Sequence, residues 1–455
     1  MPPTGTANHL RHLSRRHLWY PFTQMAEWNT EPPLIVTRGR GSYLWDQAGR
    51  RYLDGTSSLW VNLHGHRHPR LDRAVRTQLA RIAHSTLLGM SHAPAIELAG
   101  ELIKRAPKGL TRVFYSDNGS TAVEVALKMA VQFWQLSSKK AGARKRRFVS
   151  FANAYHGDTI GAVSVGGIDL FQRRFKPLLF PVERVHAPTC YRCPLKLRYP
   201  ECGLACLDQL ETVLKRGRDR IAAIVVEPLV QAAAGMLTAP PGHLRRVREL
   251  ADRHDVLLIA DEVATGFGRT GRFFACEHEQ VTPDVMAVAK GLTGGYLPLA
   301  ATLTTERIYR AFLGPYSAFK TFFHGHSYTG NPLGCAVALA NLKIFDREQT
   351  LRHLQPKIDA VRRALAPISE LPHVGDVRQL GLMVGIELVR DKVTRAPYPL
   401  TRRMGHAVCQ AARREGLLTR PLGNVIVLMP PLSTSRRLLR QMVGIVGRAI
   451  TRVTG

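Results

Sequence analysis

Two stretches of the chain decide the fold: residues 256–262, Val-Leu-Leu-Ile-Ala-Asp-Glu, and residues 285–291, Val-Met-Ala-Val-Ala-Lys-Gly. Each is a short apolar run without polar alternation, and each ends in charge, at Asp261 and at Lys290. Such runs are typical of strands buried on both faces of a parallel sheet. Because open α/β sheets bind ligands at the carboxyl ends of their strands, we expect Asp261 and Lys290 to lie at one functional edge.

The sequence around these two stretches continues the pattern. From about Val113 to Leu303, apolar runs alternate with amphipathic helical stretches, which is typical of a sheet with helices on both faces. The remaining predicted strands of this region and of the C-terminal part cover residues 113–115, 148–151, 222–226, 299–303, 382–386 and 425–428.

This organisation predicts an α/β protein with two domains. Residues 76–345 form the large domain with a mostly parallel sheet, and a smaller α+β domain is built from both termini. We assign residues 1–75 to an N-terminal arm and part of the small domain, and residues 346–455 to its C-terminal part.

The composition excludes a disordered or fibrous protein, since 45% of the 455 residues are hydrophobic. The formal net charge of +30 allows a polyanionic partner, but we favour a biased composition spread over a solvated surface and expect no specific nucleic-acid partner. The sequence shows neither an apolar core of signal-peptide length nor a run long enough to span a membrane. We therefore expect a cytoplasmic protein.

Four of the seven cysteines lie close together, spaced as Cys190-x2-Cys193-x8-Cys202-x3-Cys206. This spacing is compatible with a tetrahedral zinc ion. The first loop is short for a zinc ribbon, however, and the segment resembles an insertion between two β/α units. We expect reduced thiols and no metal, with structural zinc as the alternative.

A helix start follows the predicted strand at residues 113–115. The stretch 116–124, Ser-Asp-Asn-Gly-Ser-Thr-Ala-Val-Glu, pairs Thr121 with Glu124 in the spacing of a capping box. The residues predicted to form the buried face of this helix are Val123, Leu127, Ala130, Val131 and Trp134. The Gly-Ser before the helix leaves backbone amides free at a positive helix end, where a phosphate binds well.

These features together supply what pyridoxal phosphate requires from a protein. The cofactor needs a lysine for a Schiff base, a carboxylate that keeps the pyridine nitrogen protonated, and a cup for the phosphate. Lys290, Asp261 and the helix start are candidates for these tasks, and residues 155–158, Tyr-His-Gly-Asp, offer aromatic faces to cover a flat ring. The sequence therefore predicts a pyridoxal-phosphate enzyme.

Residues 261–271, Asp-Glu-Val-Ala-Thr-Gly-Phe-Gly-Arg-Thr-Gly, resemble the signature of class III pyridoxal-phosphate aminotransferases, and Lys290 stands where that family places its lysine. The resemblance covers nearly the whole chain. It implies a fold-type I transferase, small-molecule substrates, and a homodimer with active sites at the subunit interface.

Three further stretches, residues 17–25, 54–66 and 323–332, resemble the branch of the family that aminates 8-amino-7-oxononanoate to 7,8-diaminononanoate in biotin synthesis. The alternative within the family is an aminotransferase for ornithine, 4-aminobutyrate or another ω-amine. A basic nucleic-acid-binding protein is the alternative from another class.

The resemblance also implies roles for single residues. Lys290 bonds the cofactor and moves the proton, Asp261 pairs with the pyridine nitrogen, and Tyr155 stacks on the ring. The implied phosphate ligands are Gly119 and Ser120, joined by His326 and Ser327 from the other subunit. The implied substrate-binding residues are Phe22, Leu59, Trp60, Tyr155, Lys290, Gly325 and Arg420, of which Arg420 matches the arginine for the substrate carboxylate.

Two more residues of the large domain have secondary roles in this interpretation. Arg269 holds the active-site loop, and Glu227 lies behind the groups that touch the cofactor.

The identity of the amino donor stays open. Members that use S-adenosylmethionine typically have Tyr, Trp and Pro-Thr where this chain has Phe22, Leu59 and the pair His326-Ser327. These differences resemble the branch that uses lysine, whose chain needs no platform for adenine. An aromatic ring survives at Phe22 and is able to stack on adenine, so the preference for lysine is slight.

Overall fold

The computed structural model describes residues 4–28, 30, 33–137 and 144–455. The strands are β1 Val36–Arg40, β2 Tyr43–Asp46, β3 Arg51–Asp54, β4 Leu110–Ser116, β5 Arg147–Phe151, β6 Val182–Val185, β7 Ile221–Val226, β8 Val230–Gln231, β9 Leu237–Thr238, β10 Leu257–Asp261, β11 Val285–Val288, β12 Ala300–Thr305, β13 Val374–Leu380, β14 Met383–Asp391, β15 Ala396–Pro397, β16 Leu417–Leu418, β17 Arg420–Leu422 and β18 Val425–Leu428.

The α-helices are α1 Thr4–His17, α2 Met25–Trp28, α3 Ser57–Trp60, α4 Pro69–Leu79, α5 Ala93–Arg105, α6 Gly119–Ser137, α7 Ile160–Val165, α8 Asp169–Gln172, α9 Asp208–Gly217, α10 His243–Arg253, α11 Glu306–Ala311, α12 Pro332–Arg347, α13 Thr350–Ser369, α14 Met404–Arg414 and α15 Arg436–Thr454. Of these, α3 is a distorted turn with non-helical backbone angles inside it. Short 3-10 helices occur at Lys176–Leu178, Ala205–Leu207, Ala275–Glu279, Lys290–Thr293, Tyr316–Ala318 and Leu400–Arg402.

One sheet of the structure has seven strands, in the order β4-β12-β11-β10-β7-β5-β6. Strand β12 runs antiparallel to both of its neighbours, and the other six strands of this sheet share one direction. Strands β7, β10 and β11 are buried along their whole length, which explains their continuous apolar sequences. The predicted α/β class with a large, mostly parallel sheet is confirmed.

The register of the central strands places the two deciding residues at one edge. Asp261 is the last residue of β10 and pairs with Ala287 of β11, three residues before Lys290. The carboxylate and the lysine therefore leave the sheet from adjacent strands at the same end.

The strands predicted from the apolar runs are all present, and one strand of the seven-stranded sheet was missed. The sheet ends at the edge strand β6, only four residues long and buried at Val185 alone. A short, half-exposed edge strand has no continuous apolar run to reveal it.

Residues from both ends of the chain meet in the smaller sheets. A four-stranded sheet, β1-β2-β3-β16, pairs Leu417 in parallel with Leu53. The sheet β13-β14-β18-β17, with β15 on β14, lies entirely in the C-terminal part.

Helix starts follow local capping chemistry. The Asn331 side chain accepts a hydrogen bond from the backbone N–H of Gly334, and Pro332 occupies the first position of α12. Ser435 caps α15 in the same way through the N–H of Leu438. In the described ranges, no helix combines the length and apolar character needed to cross a membrane.

Candidate active site

The site is a cavity of about 670 Å³ at the carboxyl ends of the central strands. It brings together seven of the residues singled out from the sequence. These lining residues are Leu59, Trp60, Gly119, Ser120, Tyr155, Asp261 and Lys290.

Asp261 is buried and held by two partners. Its Oδ2 lies 2.7 Å from Nδ1 of His156, and its Oδ1 accepts a hydrogen bond of 3.0 Å from the backbone N–H of Val263. Burial lowers the pKa of His156, but the hydrogen bond and charge of Asp261 outweigh burial and raise the pKa overall. The bonds to His156 and Val263 together fix the position of the carboxylate at the cavity.

Lys290 follows β11 and begins the 3-10 helix Lys290–Thr293. Its φ of 43° lies in the left-handed region, which is uncommon for a residue with a side chain. Burial lowers the pKa of the Lys290 ammonium group, and the carboxylates of Asp261 and Glu227 oppose this effect. A lowered pKa makes the neutral amine easier to form, as a nucleophile or a proton acceptor requires.

Glu227 is buried beside these groups and ties two walls of the cavity together. Its Oε1 accepts from the N–H of Tyr155 and its Oε2 from the N–H of Ala232, both at 2.9 Å. Burial raises the pKa of Glu227 to about 7, with His156 lowering and Asp261 raising it.

One end of the cavity is formed by the first turn of α6, where Gly119 and Ser120 line the space. The first N–H groups of a helix have no carbonyl partner within it, and they lie at its positive end. A side chain at Gly119 would put its Cβ 2.6 Å from Cγ1 of Val263, so only glycine lets the helix approach the loop after β10 this closely.

The predicted capping box of α6 is wrong. The helix begins earlier, and its cap is Asn118, whose Oδ1 accepts from the N–H of Thr121 while the Thr121 hydroxyl accepts from the N–H of Asn118, both at 3.1 Å. Glu124 instead accepts the N–H groups of Gly161 and Ala162. The predicted buried face is correct, with Val131 the least buried of its members.

Tyr155 lies between the cavity and an aromatic cluster. Its hydroxyl donates to Oδ2 of Asp158 at 2.7 Å. Its ring meets the edge of Phe171 with centroids 6.0 Å apart, and Phe171 in turn meets Phe22 at 5.3 Å. Phe171 was missed in the sequence because nothing local marks it as a neighbour of Tyr155.

Five predicted residues lie outside the cavity lining, at Phe22, Gly325, His326, Ser327 and Arg420. Burial lowers the pKa of Arg420, which lies within electrostatic range of Cys409 and Tyr155. Nδ1 of His326 is 3.1 Å from Oδ2 of Asp117, which does line the cavity.

Arg269 lies behind the site and is 1% exposed. Its guanidinium donates to the carbonyl of Asn62 at 3.0 Å and to that of Pro430 at 2.7 Å. These contacts agree with the interpretation of Arg269 as a residue that holds a loop.

The four clustered cysteines surround a separate, much smaller cavity of about 20 Å³. All four are free thiols. Burial raises the pKa of Cys206 to about 11. Across the ranges that the structure describes, no group of three or more His, Cys, Asp or Glu side chains is arranged to hold a metal ion.

Comparison with known proteins agrees with this geometry. The family described as aminotransferase class III matches residues 24–450. A relative from Nitratidesulfovibrio vulgaris, named adenosylmethionine-8-amino-7-oxononanoate aminotransferase, is 55% identical over 455 residues, which are 100% of this chain and 84% of the relative.

Two solved structures superimpose over almost the whole chain. The adenosylmethionine-8-amino-7-oxononanoate aminotransferase of Methanocaldococcus jannaschii has a TM-score of 0.93 at 42% identity and covers 98% of this chain and 99% of its own. An amine transaminase from an uncultivated Pseudomonas species, solved with bound pyridoxal phosphate, has a TM-score of 0.91 at 37% identity, with 96% and 99% covered. The predicted fold-type I architecture is thereby confirmed, and the chain belongs to the class III aminotransferases.

Proposed function

We propose that this aminotransferase converts 8-amino-7-oxononanoate to 7,8-diaminononanoate in biotin synthesis. The observation that carries the proposal is the pairing of Lys290 and Asp261 in one cavity of a chain that matches 8-amino-7-oxononanoate aminotransferases over its full length. The sequence stretches 17–25, 54–66 and 323–332 support the same branch.

Pyridoxal phosphate is the cofactor, as the sequence predicted. The cavity offers a lysine with a lowered pKa, a carboxylate fixed by its hydrogen bond with His156, and the amide-rich start of α6. Lys290 would hold the aldehyde carbon, Asp261 the pyridine nitrogen, and Gly119 and Ser120 the phosphate. When bound, the cofactor supplies an electron sink for the carbanion formed at the amine carbon.

The chain's own residues then have defined tasks. Lys290, whose neutral form is favoured by burial, would be the base that takes the proton from the amine carbon of the donor and delivers it to the aldehyde carbon of the cofactor. Asp261, backed by His156, presents a fixed negative charge that keeps the nitrogen opposite it protonated. Tyr155 covers the ring, and Arg420 binds the carboxylate of the substrate.

The donor is either S-adenosylmethionine or lysine, and different observations support each. The names of the relatives support S-adenosylmethionine. Phe22, Leu59 and the pair His326-Ser327 favour lysine slightly, because they offer a less extensive platform for adenine.

The active form is a homodimer in this proposal. Large apolar side chains are exposed, among them Trp19, Leu88 and Phe323, and the exposed rings of Tyr316 and Phe319 pack against each other. Exposed patches of this kind mark interaction surfaces. His326 and Ser327 would then reach the phosphate of the other subunit.

A half-reaction tests the proposal. The purified holoenzyme is mixed with S-adenosylmethionine or with lysine, and loss of the visible cofactor band is recorded; 8-amino-7-oxononanoate is then added. We expect one donor to bleach the band and the keto acid to restore it. Failure of the keto acid to restore the band, with recovery by the keto acid or aldehyde counterpart of another ω-amine, would transfer the assignment to the ω-amine branch.

A further inference from the structure

Residues 57–62, here called the wall segment, adopt an unfavourable backbone conformation beside the cavity. Ser57, Ser58 and Trp60 have φ values of 51°, 62° and 66°. Residues with side chains rarely occupy this left-handed region, and they persist there only where the surroundings hold them. The segment therefore needs an anchor.

Asp54, at the end of β3, is that anchor. It is 1% exposed, and both of its carboxylate oxygens accept from the N–H of Ser58, at 2.9 and 2.8 Å. Oδ1 also accepts from the N–H of Thr56 at 3.3 Å. Nε2 of His66 lies 2.9 Å from Oδ2 and fixes the orientation of the carboxylate.

Further contacts fix both ends of the wall segment. Arg269 donates to the carbonyl of Asn62, and the Ser57 hydroxyl donates to the carbonyl of Met429. A Cβ on Gly295 would lie 2.8 Å from the backbone N of Asn62, so the turn after Lys290 packs directly against the segment.

The consequence of this conformation is the direction of Trp60. Its ring centroid lies 5.5 Å from Nζ of Lys290, and the residue lines the cavity while being only 6% exposed. Within the described part of the chain, its buried Nε1–H has no hydrogen-bond acceptor. A buried donor without a partner at a cavity wall is suited to an acceptor atom on a ligand.

We propose that Asp54, oriented by His66, is a positioning residue for substrate recognition. By holding the N–H of Ser58 it keeps the wall segment in its left-handed conformation and keeps the indole N–H of Trp60 available to an acceptor atom of the keto acid or the amino donor. This inference rests on the proposed function in that the cavity beside Lys290 takes these substrates.

A double-mutant cycle tests the inference on the holoenzyme. Asp54→Asn replaces one of the two oxygens that accept from the N–H of Ser58 by an NH2 group, which cannot accept a hydrogen bond. Trp60→Phe removes the indole N–H. Each should raise the KM for one of the substrates about tenfold with a smaller change in kcat, and the double variant should be no worse than the single ones. Independent effects, multiplying to about a hundredfold, would overturn the proposal.

Asp46→Asn is the matched control. Asp46 is a buried carboxylate at the end of β2 in the same sheet, and it holds its own turn through Arg50 and Tyr52 rather than the wall segment. Its loss should lower stability without changing either KM. A similar rise in KM for Asp46→Asn would make the Asp54 effect a general consequence of weakening the sheet.

Two variants at His66 keep the test available if Asp54→Asn does not fold. His66→Gln retains a side-chain donor toward Asp54 and should keep the wild-type KM. His66→Phe removes the donor and should reproduce the tenfold rise. Equal KM values for the two variants would contradict the role of His66.

A fluorescence measurement separates this proposal from the proposed function. In the cofactor-free protein, the Trp60 signal is the difference between each protein and its Trp60→Phe counterpart. Acrylamide should quench that signal more strongly after Asp54→Asn, because the indole leaves its buried position. Unchanged quenching overturns the positioning role, whereas failure of the wild type to aminate 8-amino-7-oxononanoate overturns the proposed function alone.

Discussion

The floor of the cavity, Asp261 and Lys290, and its wall segment, residues 57–62, are built by different means. The two floor residues lie at the carboxyl ends of adjacent strands of a buried sheet, and the register between β10 and β11 fixes their relative positions. The wall segment is irregular and left-handed; Asp54 holds it from the neighbouring strand end, and Arg269 and Met429 hold it from two distant parts of the chain. The groups for bond making thus stand on regular structure, while the surface that meets the substrate depends on long-range contacts.

The largest expected effect, a loss of turnover, comes from replacing Lys290 in the floor of the cavity. Lys290→Ala removes the amine that bonds the cofactor and moves the proton, so turnover should fall at least about 10³-fold while the fold persists. Single-turnover kinetics of the half-reaction measure this loss. Lys357→Ala, at another lysine whose pKa burial lowers, is the control and should retain the half-reaction rate.

Removing Arg269, which holds the wall segment through the carbonyl of Asn62, should chiefly lower the stability of the protein. Arg269→Ala leaves the buried carbonyls of Asn62 and Pro430 without their donor and creates a cavity, which should cost about 3 kcal/mol in the free energy of unfolding. Urea denaturation measures this cost. Arg363→Ala, at an exposed position of α13, should change it by less than about 0.5 kcal/mol. An equally small change for Arg269→Ala would show that its two hydrogen bonds contribute nothing to the free energy of unfolding.

Glu227, which is buried beside the floor and accepts from Tyr155 and Ala232, should give a pH-dependent effect. Its pKa is raised by burial from 4.5 to about 7, so between these values the folded protein keeps a proton that the unfolded chain releases. Stability should therefore fall as pH rises through this window, by up to about 3 kcal/mol.

The variant Glu227→Gln should remove this part of the pH dependence. Unfolding of the cofactor-free protein at pH 4.5 to 8 measures the difference between the two profiles. Glu97→Gln, at an exposed position of α5, should follow the wild-type profile. Parallel profiles for wild type and Glu227→Gln would contradict the raised pKa.

The smallest effect is expected at the aromatic cluster beside the floor. Phe171→Ala removes edge contacts with Tyr155 and Phe22, each of a kind that contributes about 0.5 to 1.5 kcal/mol. The KM of one substrate should rise roughly threefold to tenfold. Phe175→Ala, at a half-exposed ring just beyond α8, is the matched control, and an equal rise in KM there would deny Phe171 a specific role.

The floor could be predicted from the sequence because its causes are local. Uniformly apolar sequences reveal β10 and β11, and the charged residues at the end of β10 and just after β11, Asp261 and Lys290, both line the cavity. The helix start at Gly119 is equally local, although Glu124 turned out to bind α7 rather than its own helix end.

The wall segment and the aromatic cluster could not be predicted in the same way. The role of Asp54 depends on a left-handed turn at Ser58, and neither residue type demands that conformation. Phe171 meets Phe22 only because the N-terminal arm folds across α8. The contact of Phe171 with Phe22 joins segments far apart in the sequence, so no periodicity or spacing indicates it.

Contacts of the wall segment and its surroundings with the C-terminal part also constrain the order in which the chain folds during its synthesis. Ser57 bonds to Met429, Arg269 to Pro430, and the hydroxyls of Ser42 and Thr434 meet across 392 residues of sequence. The floor is complete once residue 290 has been made, but the wall segment must wait for residue 429, whose carbonyl accepts from Ser57. A nascent chain on the ribosome therefore carries a half-built cavity until translation is almost finished, and a truncation before residue 429 would leave the floor without its wall.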